Sequence, residues 1–155
     1  MKEILNRKIE TQPNLSKRIL AGVIDYAIIF GYCFIISYFF GEPNNEGGTS
    51  VKGFPGFTTI IFWSIWTIGA EQYFGRTFGN YTQNLTVISL KNSLEKLTIG
   101  QSIKRHLVDM FDFWPLGILG ILFIKNTKYN QRLGDLWAKT IVIDTTDKTQ
   151  GIMFE

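Results

Sequence analysis

Cysteine and histidine are nearly missing from this chain, which carries one of each, Cys33 and His106. A single cysteine excludes an intramolecular disulfide and a CxxC motif, and a single histidine cannot build a metal site alone. The sequence also has no nucleophile–base pair, no phosphate-binding Gly-Lys-Ser/Thr loop and no cluster of metal ligands. We therefore predict that the chain is not an enzyme and uses no cofactor and no metal.

Charge is scarce in two long stretches, although the composition as a whole is ordinary, with 45% hydrophobic residues. Residues 19–40 contain a single charged side chain, Asp25, and residues 57–74 contain only Glu71. About 20 apolar residues at 1.5 Å each cross a hydrocarbon core of ~30 Å. Both stretches are therefore predicted to be membrane-spanning helices, and residues 41–56 between them a loop.

The rest of the chain alternates short strands with helical pieces. Residues 84–90 and 139–144 are rich in β-branched residues and are predicted to pair as a small sheet. Residues 98–113 have the pattern of an amphipathic helix that begins at Thr98. Residues 128–137 are polar and predicted to form a turn, and the last residues are predicted to be frayed.

The positions of Lys and Arg predict the orientation in the membrane, because these residues are enriched on the cytoplasmic side. Five lie at or before Arg18, one lies in the loop 41–56, and five lie between residues 75 and 106. The N-terminus is thus predicted to be cytoplasmic and the first loop external. Five more basic residues follow residue 124, which favours a cytoplasmic C-terminus.

Residues 107–124 leave two interpretations open. They form a re-entrant or interfacial element broken at Pro115, or they form a plain third span whose tail departs from the charge rule. We favour the first, because the two predicted strands can pair only on one side of the membrane. The predicted fold is an all-α membrane protein of the cytoplasmic membrane, with two transmembrane helices, a broken or re-entrant third helical element and a small two-stranded cytoplasmic sheet.

Charged side chains inside or beside the predicted spans form the candidate site, because a carboxylate within a span costs on the order of 2.5 kcal/mol or more and must face protein or water. Arg18 and Asp25 are seven residues apart and lie about 20° from the same face of a helix. Glu71, near the inner end of the second span, is predicted to lie at a comparable depth. Arg105, Asp109 and Asp112 on the amphipathic segment can join them.

Two motifs resemble the RDD family of bacterial membrane proteins, which is named for one arginine and two aspartates. The first is KRILAGVID at residues 17–25, and the second is QRLGDLWAKTIV at residues 131–142. A turn that the family writes as Thr-Pro-Gly-Lys is RTFGN at residues 76–80 here, and it departs at the Pro and the Lys. The resemblance covers residues 14–144, with residues 1–13 and 145–155 as tails.

The resemblance implies that Arg18, Asp25 and Asp135 are the named triad. It also implies transport of an unidentified ligand, with sodium/proton exchange associated with some members of the family. From the residues alone, the same charges are compatible with a structural ion-pair network, in which Asp135 pairs with Arg18 or with Arg132.

Two hypotheses follow for the function. The first is an oligomeric transporter of a small ion or ligand, in which cation/proton exchange uses Asp25; the second is a non-catalytic membrane module that holds or regulates a partner protein. Expected partners are the lipid bilayer, further copies of the chain and a small cation or other ligand, but not nucleic acid. The predicted transport or ion-pair network comprises Arg18, Asp25, Glu71, Arg105, Asp112, Arg132 and Asp135.

Overall fold

The computed structural model describes residues 7–91, 97–109 and 118–154. Within them the fold is mostly helical, with three two-stranded sheets. The elements in chain order are β1 (Arg7–Glu10), α1 (Leu15–Phe40), β2 (Glu42–Pro43), β3 (Thr49–Ser50), α2 (Gly53–Ser64), a π-helical segment (Ile65–Gly69), α3 (Ala70–Phe74), α4 (Phe78–Thr82), β4 (Leu85–Ser89), α5 (Ile99–Leu107), α6 (Ile118–Asn126), α7 (Leu133–Ala138), β5 (Thr140–Asp144) and β6 (Gly151–Phe154).

Helix α1 is the one described helix that is long and apolar enough by itself to cross a membrane. Only 17% of its apolar window is buried by the rest of the chain, whereas the core helix of a soluble protein would be mostly buried. Large side chains such as Phe30, Phe34 and Tyr38 point outward. This exposed apolar surface is what a lipid-facing helix presents.

The second predicted span is helical throughout, but it is divided into α2, the π-helical segment and α3. It begins at Gly53, a few residues before the predicted start. The π-helical segment widens the helix by one residue at a point that faces the interior. Thr67 within it and Glu71 just after it are almost fully buried.

The predicted pairing of the two short strands is confirmed. Strand β4 pairs antiparallel with β5, with Leu85 opposite Asp144 and Ser89 opposite Thr140. The prediction of a frayed C-terminus is wrong, because β6 pairs antiparallel with β1. The predicted loop 41–56 contains a short hairpin of β2 and β3. Pairs this short carry little sequence signal, since strand patterns need several alternating residues.

The helices of the C-terminal half differ from prediction in one element. Thr98 caps α5 in a capping box with Gln101, which confirms the predicted start of this helix. Residues 128–137, predicted as a turn, contain helix α7 instead. The predicted break at Pro115 and the site residue Asp112 lie outside the described residues, so the form of the 107–124 element stays a prediction.

Helix α5 has its polar face inward and its apolar face outward. The buried side chains on it are polar (Gln101, Ser102, Arg105 and His106), and those of Ile99, Ile103 and Leu107 are exposed. A soluble domain has the opposite arrangement. The interior that α5 helps to enclose is therefore polar, and it lies beside a small apolar core of Ala21, Leu85, Val87, Leu97 and Val142.

Candidate functional site

Six buried or half-buried side chains of alternating charge form a closed ring, which we call the charge ring. Going around it, each acid lies between two bases and each base between two acids. The members in order are Glu71, Arg105, Asp135, Arg132, Asp109 and His106, which returns to Glu71.

Arg105 holds the first half of the ring. Its Nε lies 3.1 Å from Glu71 Oε1, and its Nη1 is paired with Asp135 Oδ1 and lies 3.1 Å from Thr140 Oγ1. Arg105, Glu71 and Asp135 are each at most 1% exposed. Burial of three charges is tolerated because each one has an opposite charge in direct contact.

Arg132 and His106 close the second half. Arg132 Nη1 lies 2.7 Å from Asp109 Oδ1, and its Nε lies 3.7 Å from Asp135 Oδ1. His106 Nδ1 lies 2.8 Å from Asp109 Oδ2. Its Nε2 lies 3.5 Å from Glu71 Oε2, a charge contact longer than a normal hydrogen bond.

Arg18 attaches α1 to the ring. Its Nη1 lies 3.5 Å from Asp135 Oδ2, and its Nη2 donates a 3.1 Å hydrogen bond to the carbonyl of Val142 in β5. Three arginine side chains thus form ion pairs with Asp135. Asp135 also accepts a 3.2 Å hydrogen bond from the backbone N–H of Arg132 at the start of α7. This convergence joins α1, α5 and α7 at one carboxylate.

A glycine makes that convergence possible. A Cβ on Gly134 would lie 2.6 Å from the carbonyl oxygen of Arg105, closer than real Cβ contacts. Gly134 therefore allows α7 to pack directly against α5, and this close approach brings Asp135 within reach of Arg105. The Arg-Leu-Gly-Asp run needs its glycine for packing and its charged residues for the ring.

Asp25 lies outside the ring, although Arg18 is on the same stripe of α1. Its Oδ1 accepts a 2.8 Å hydrogen bond from the backbone N–H of Gly79 in α4, and the side chains of Thr77 and Trp66 are its other neighbours. Asp25 is 7% exposed. Among the described residues it has no ion pair, whereas every other buried carboxylate has one.

A cavity of about 280 Å³ lies between α1, α5 and α6 and connects Asp25 to the ring. Its wall is apolar on one side, with residues such as Val23, Ile121 and Ile124. Its charged lining is contributed by Arg18, Asp25, Arg105, His106, Asp109 and Arg132. A cavity of this size with charged groups in its lining has room for several water molecules or a small hydrated ion.

His106 is the titratable base of this lining. Burial by itself lowers the pKa of His106, but the hydrogen bonds and charges of Asp109 and Glu71 outweigh it and raise the pKa to about 9. The imidazolium form is therefore favoured at neutral pH. With His106 charged, the ring contains three positive and three negative groups and is neutral.

The structure brings together five of the seven predicted site residues. Arg18, Glu71, Arg105, Arg132 and Asp135 are joined through the ring, but no described contact joins Asp25 to Glu71 or to Arg18. The role of the predicted site residues in transport stays a prediction.

The site predicted from the sequence does not include His106, and it includes Asp109 only as a possible neighbour. Their spacing of i, i+3 on a helix was the available signal.

The model of the RDD family matches residues 12–139, which include the first motif, residues 131–139 of the second motif and every residue of the ring. The chain belongs to the RDD family. This is a family of membrane proteins, in agreement with the apolar, outward-facing α1. No curated protein and no solved structure matches the chain significantly.

Proposed function

We propose that this RDD protein is a membrane transporter of a small cation, in which Asp25 exchanges a proton for the cation. The observation that supports the proposal best is the state of Asp25. It is a buried carboxylate on the candidate membrane-spanning helix, it lines a cavity, and no basic side chain among the described residues forms an ion pair with it. Such a group needs either a proton or a bound cation.

The chemistry of the exchange is a competition for one carboxylate. In the protonated form Asp25 is neutral and can remain in a low-dielectric surrounding. Loss of the proton to the cavity leaves a carboxylate oxygen for the incoming cation, while Oδ1 remains on the Gly79 N–H. The ring keeps its own charges paired throughout, so it provides a fixed electrostatic environment rather than a second exchange site.

Two crossings of the membrane fit the sheet pairings best. Strands β1 and β6 pair, β4 and β5 pair, and only residues 145–150 separate β5 from β6, so all four strands would lie on one side of the membrane. Helix α1 then leaves that side, and α2 to α3 must return to it before β4. The hairpin of β2 and β3 would lie on the opposite side, and residues 107–124 would not cross. The positive-inside rule makes the side of the four strands cytoplasmic.

The outward apolar face of α5 supports an interfacial position for the C-terminal half. Ile99, Ile103 and Leu107 are exposed on α5, and Trp137 is exposed on the neighbouring α7. Lys104 lies over the Trp137 ring at 5.6 Å. Exposed Trp and Lys side chains next to each other are typical of the membrane–water interface. In this arrangement the polar face of α5 remains directed to the charge ring.

A homo-oligomer is part of the proposal. Two crossings cannot enclose a transmembrane path, so a pathway for the cation would run between copies of the chain. The second candidate function is a non-catalytic membrane module. The closed ring favours it, because saturated ion pairs can specify a packing arrangement without any transport.

Asp25→Asn separates the two functions. The asparagine Oδ1 can still accept the Gly79 N–H, but the side chain cannot bind a proton or a cation as a charged group. Purified protein in proteoliposomes with a pH-sensitive dye reports proton efflux on addition of sodium, potassium or lithium. We expect a cation-dependent signal that Asp25→Asn reduces to background. Glu46→Gln, an exposed carboxylate in the hairpin region, is the matched control and should leave the signal unchanged.

Absence of any cation-dependent signal from folded, inserted wild-type protein would refute the transporter. An equal signal from wild type and Asp25→Asn would remove Asp25 from the mechanism. Gel filtration of each variant in detergent checks that assembly is preserved. A variant that loses assembly together with flux would support the scaffold function.

A further inference from the structure

A groove with aromatic walls lies at the C-terminal end of the second helical stretch, and Trp66 is part of its lining. It has a volume of about 790 Å³ and follows α3 into the turn before α4. Its lining is apolar and aromatic apart from one arginine and one threonine. The residues are Ile65, Trp66, Gly69, Ala70, Tyr73, Phe74, Arg76, Thr77, Phe78 and Tyr81.

Arg76 differs from the other described arginine side chains. Arg18, Arg105 and Arg132 each pair with at least one carboxylate of the ring. Arg76 instead lies over the ring of Tyr81, with Cζ 4.7 Å from the ring centroid, and no carboxylate among the described residues pairs with it. A half-buried guanidinium in this state has its donors available for an anion.

The aromatic residues beside Arg76 are more exposed than is favourable for such side chains in water. Tyr73 and Phe74 are 78% and 73% exposed, and Phe78 and Tyr81 are exposed as well. Aromatic residues at a helix end, next to a basic side chain, are typical of the level of the lipid headgroups. A groove of several hundred cubic ångströms at that level has room for part of an acyl chain.

We propose that this groove binds an anionic phospholipid, with the phosphate on Arg76 and an acyl chain along the walls formed by Trp66, Tyr73 and Phe78. The charge of Arg76 selects an anionic headgroup. The apolar walls select a molecule with a hydrocarbon chain over free phosphate. The site is separate from the proposed exchange at Asp25, and binding of lipid there does not depend on transport.

Thermal unfolding of the delipidated protein in detergent tests the proposal. Phosphatidylglycerol should raise the unfolding temperature of the wild type, whereas phosphatidylcholine and glycerol 3-phosphate should not. Arg76→Gln should weaken the apparent affinity for phosphatidylglycerol by about tenfold or more, since a charge-assisted contact is lost. Arg76→Lys keeps the charge but loses the planar guanidinium group. Its apparent affinity for phosphatidylglycerol should lie between that of the wild type and that of Arg76→Gln.

Lys128→Gln is the matched control, because Lys128 also lies over an aromatic ring, that of Tyr129, but outside the groove. It should respond to phosphatidylglycerol as the wild type does. Native mass spectrometry should show fewer retained phosphatidylglycerol molecules on Arg76→Gln than on Lys128→Gln. An unchanged response of Arg76→Gln overturns the proposal. So does equal stabilisation by phosphatidylcholine, which would indicate unselective apolar binding, or by glycerol 3-phosphate, which would indicate a phosphate site without a lipid chain.

Discussion

Asp25 in α1 accepts a hydrogen bond of 2.8 Å from the backbone N–H of Gly79 in α4. This contact joins α1 to α4, and it depends on the absence of a side chain at Gly79. A Cβ there would lie 2.0 Å from the carbonyl oxygen of Ala21 and 2.7 Å from Asp25 Oδ2. The carboxylate and the glycine therefore form one packing unit.

We expect Gly79→Ala to destabilise the protein by about 1–3 kcal/mol, because the added methyl group must push α4 away from α1. The unfolding temperature in detergent measures the effect. Gly31→Ala is the control, since Gly31 lies on α1, the partner helix in this contact, and a Cβ there meets nothing within 4 Å. It should be neutral or stabilise by up to about 1 kcal/mol, because alanine is the better helix former. Equal responses of the two variants would contradict the tight contact.

Arg105 is expected to be the most sensitive member of the charge ring. Arg105→Met leaves Glu71 and Asp135 buried without their shared partner, which should cost about 3–5 kcal/mol. Lys104→Met, one residue away on the exposed side of α5, should change stability little. The fraction of monodisperse protein in gel filtration and the unfolding temperature report both effects.

A double variant separates lost charge balance from lost packing. Glu71→Gln removes one of the two carboxylates that lose a basic partner in Arg105→Met, so the combined variant should be more stable than Arg105→Met alone. Additive losses would show that Arg105 acts mainly through packing. Recovery of part of the stability would show that Arg105→Met destabilises the protein mainly through the excess of buried negative charge.

Local patterns explain which parts of the fold could be predicted from the sequence. Helix α1 and the β4–β5 pair follow from apolar length and from β-branched alternation over consecutive residues. Helix α7 and the β1–β6 pair are not predicted, because α7 has only six residues and β1 meets β6 only through contacts between segments that are far apart in the sequence. Such pairing leaves almost no trace in either segment alone.

The site shows the same limit. The stripe shared by Arg18 and Asp25 is real, yet the two side chains diverge, since Asp135 attracts one and the Gly79 N–H holds the other. His106 was set aside as a lone histidine. Its place in the ring depends on Glu71 from another element, so its spacing from Asp109 was informative only once α5 was placed against α3.

The raised pKa of His106 predicts a pH dependence of stability. Asp109 and Glu71 hold the pKa of His106 at about 9, above the ordinary value of 6.5. The stabilisation is therefore complete below about pH 6.5 and is lost as the pH rises through about 9. Unfolding temperatures of the wild type should fall over this window. His106→Gln should start lower at pH 6.5 and show a flatter profile; parallel profiles would show that other groups cause the fall.

The pairing of β1 with β6 predicts that both ends of the chain lie on one side of the membrane. Single cysteines at Gln12, Asn45 and Lys148 test this in a Cys33→Ala background, since all three native side chains are exposed. With an impermeant thiol reagent on intact cells, only Asn45→Cys should be labelled. The other two variants should be labelled only after the membrane is opened.

The pattern of labelling distinguishes the possible topologies. Labelling of Lys148→Cys but not Gln12→Cys from outside would show an odd number of crossings. Residues 107–124 would then form a full span, and β1 could not pair with β6 in the membrane-inserted protein. Protection of all three would place the hairpin of β2 and β3 on the cytoplasmic side, so that α1 would not cross. Because the proposed exchange at Asp25 needs a crossing α1, protection of Asn45→Cys would refute the transporter independently of any flux measurement.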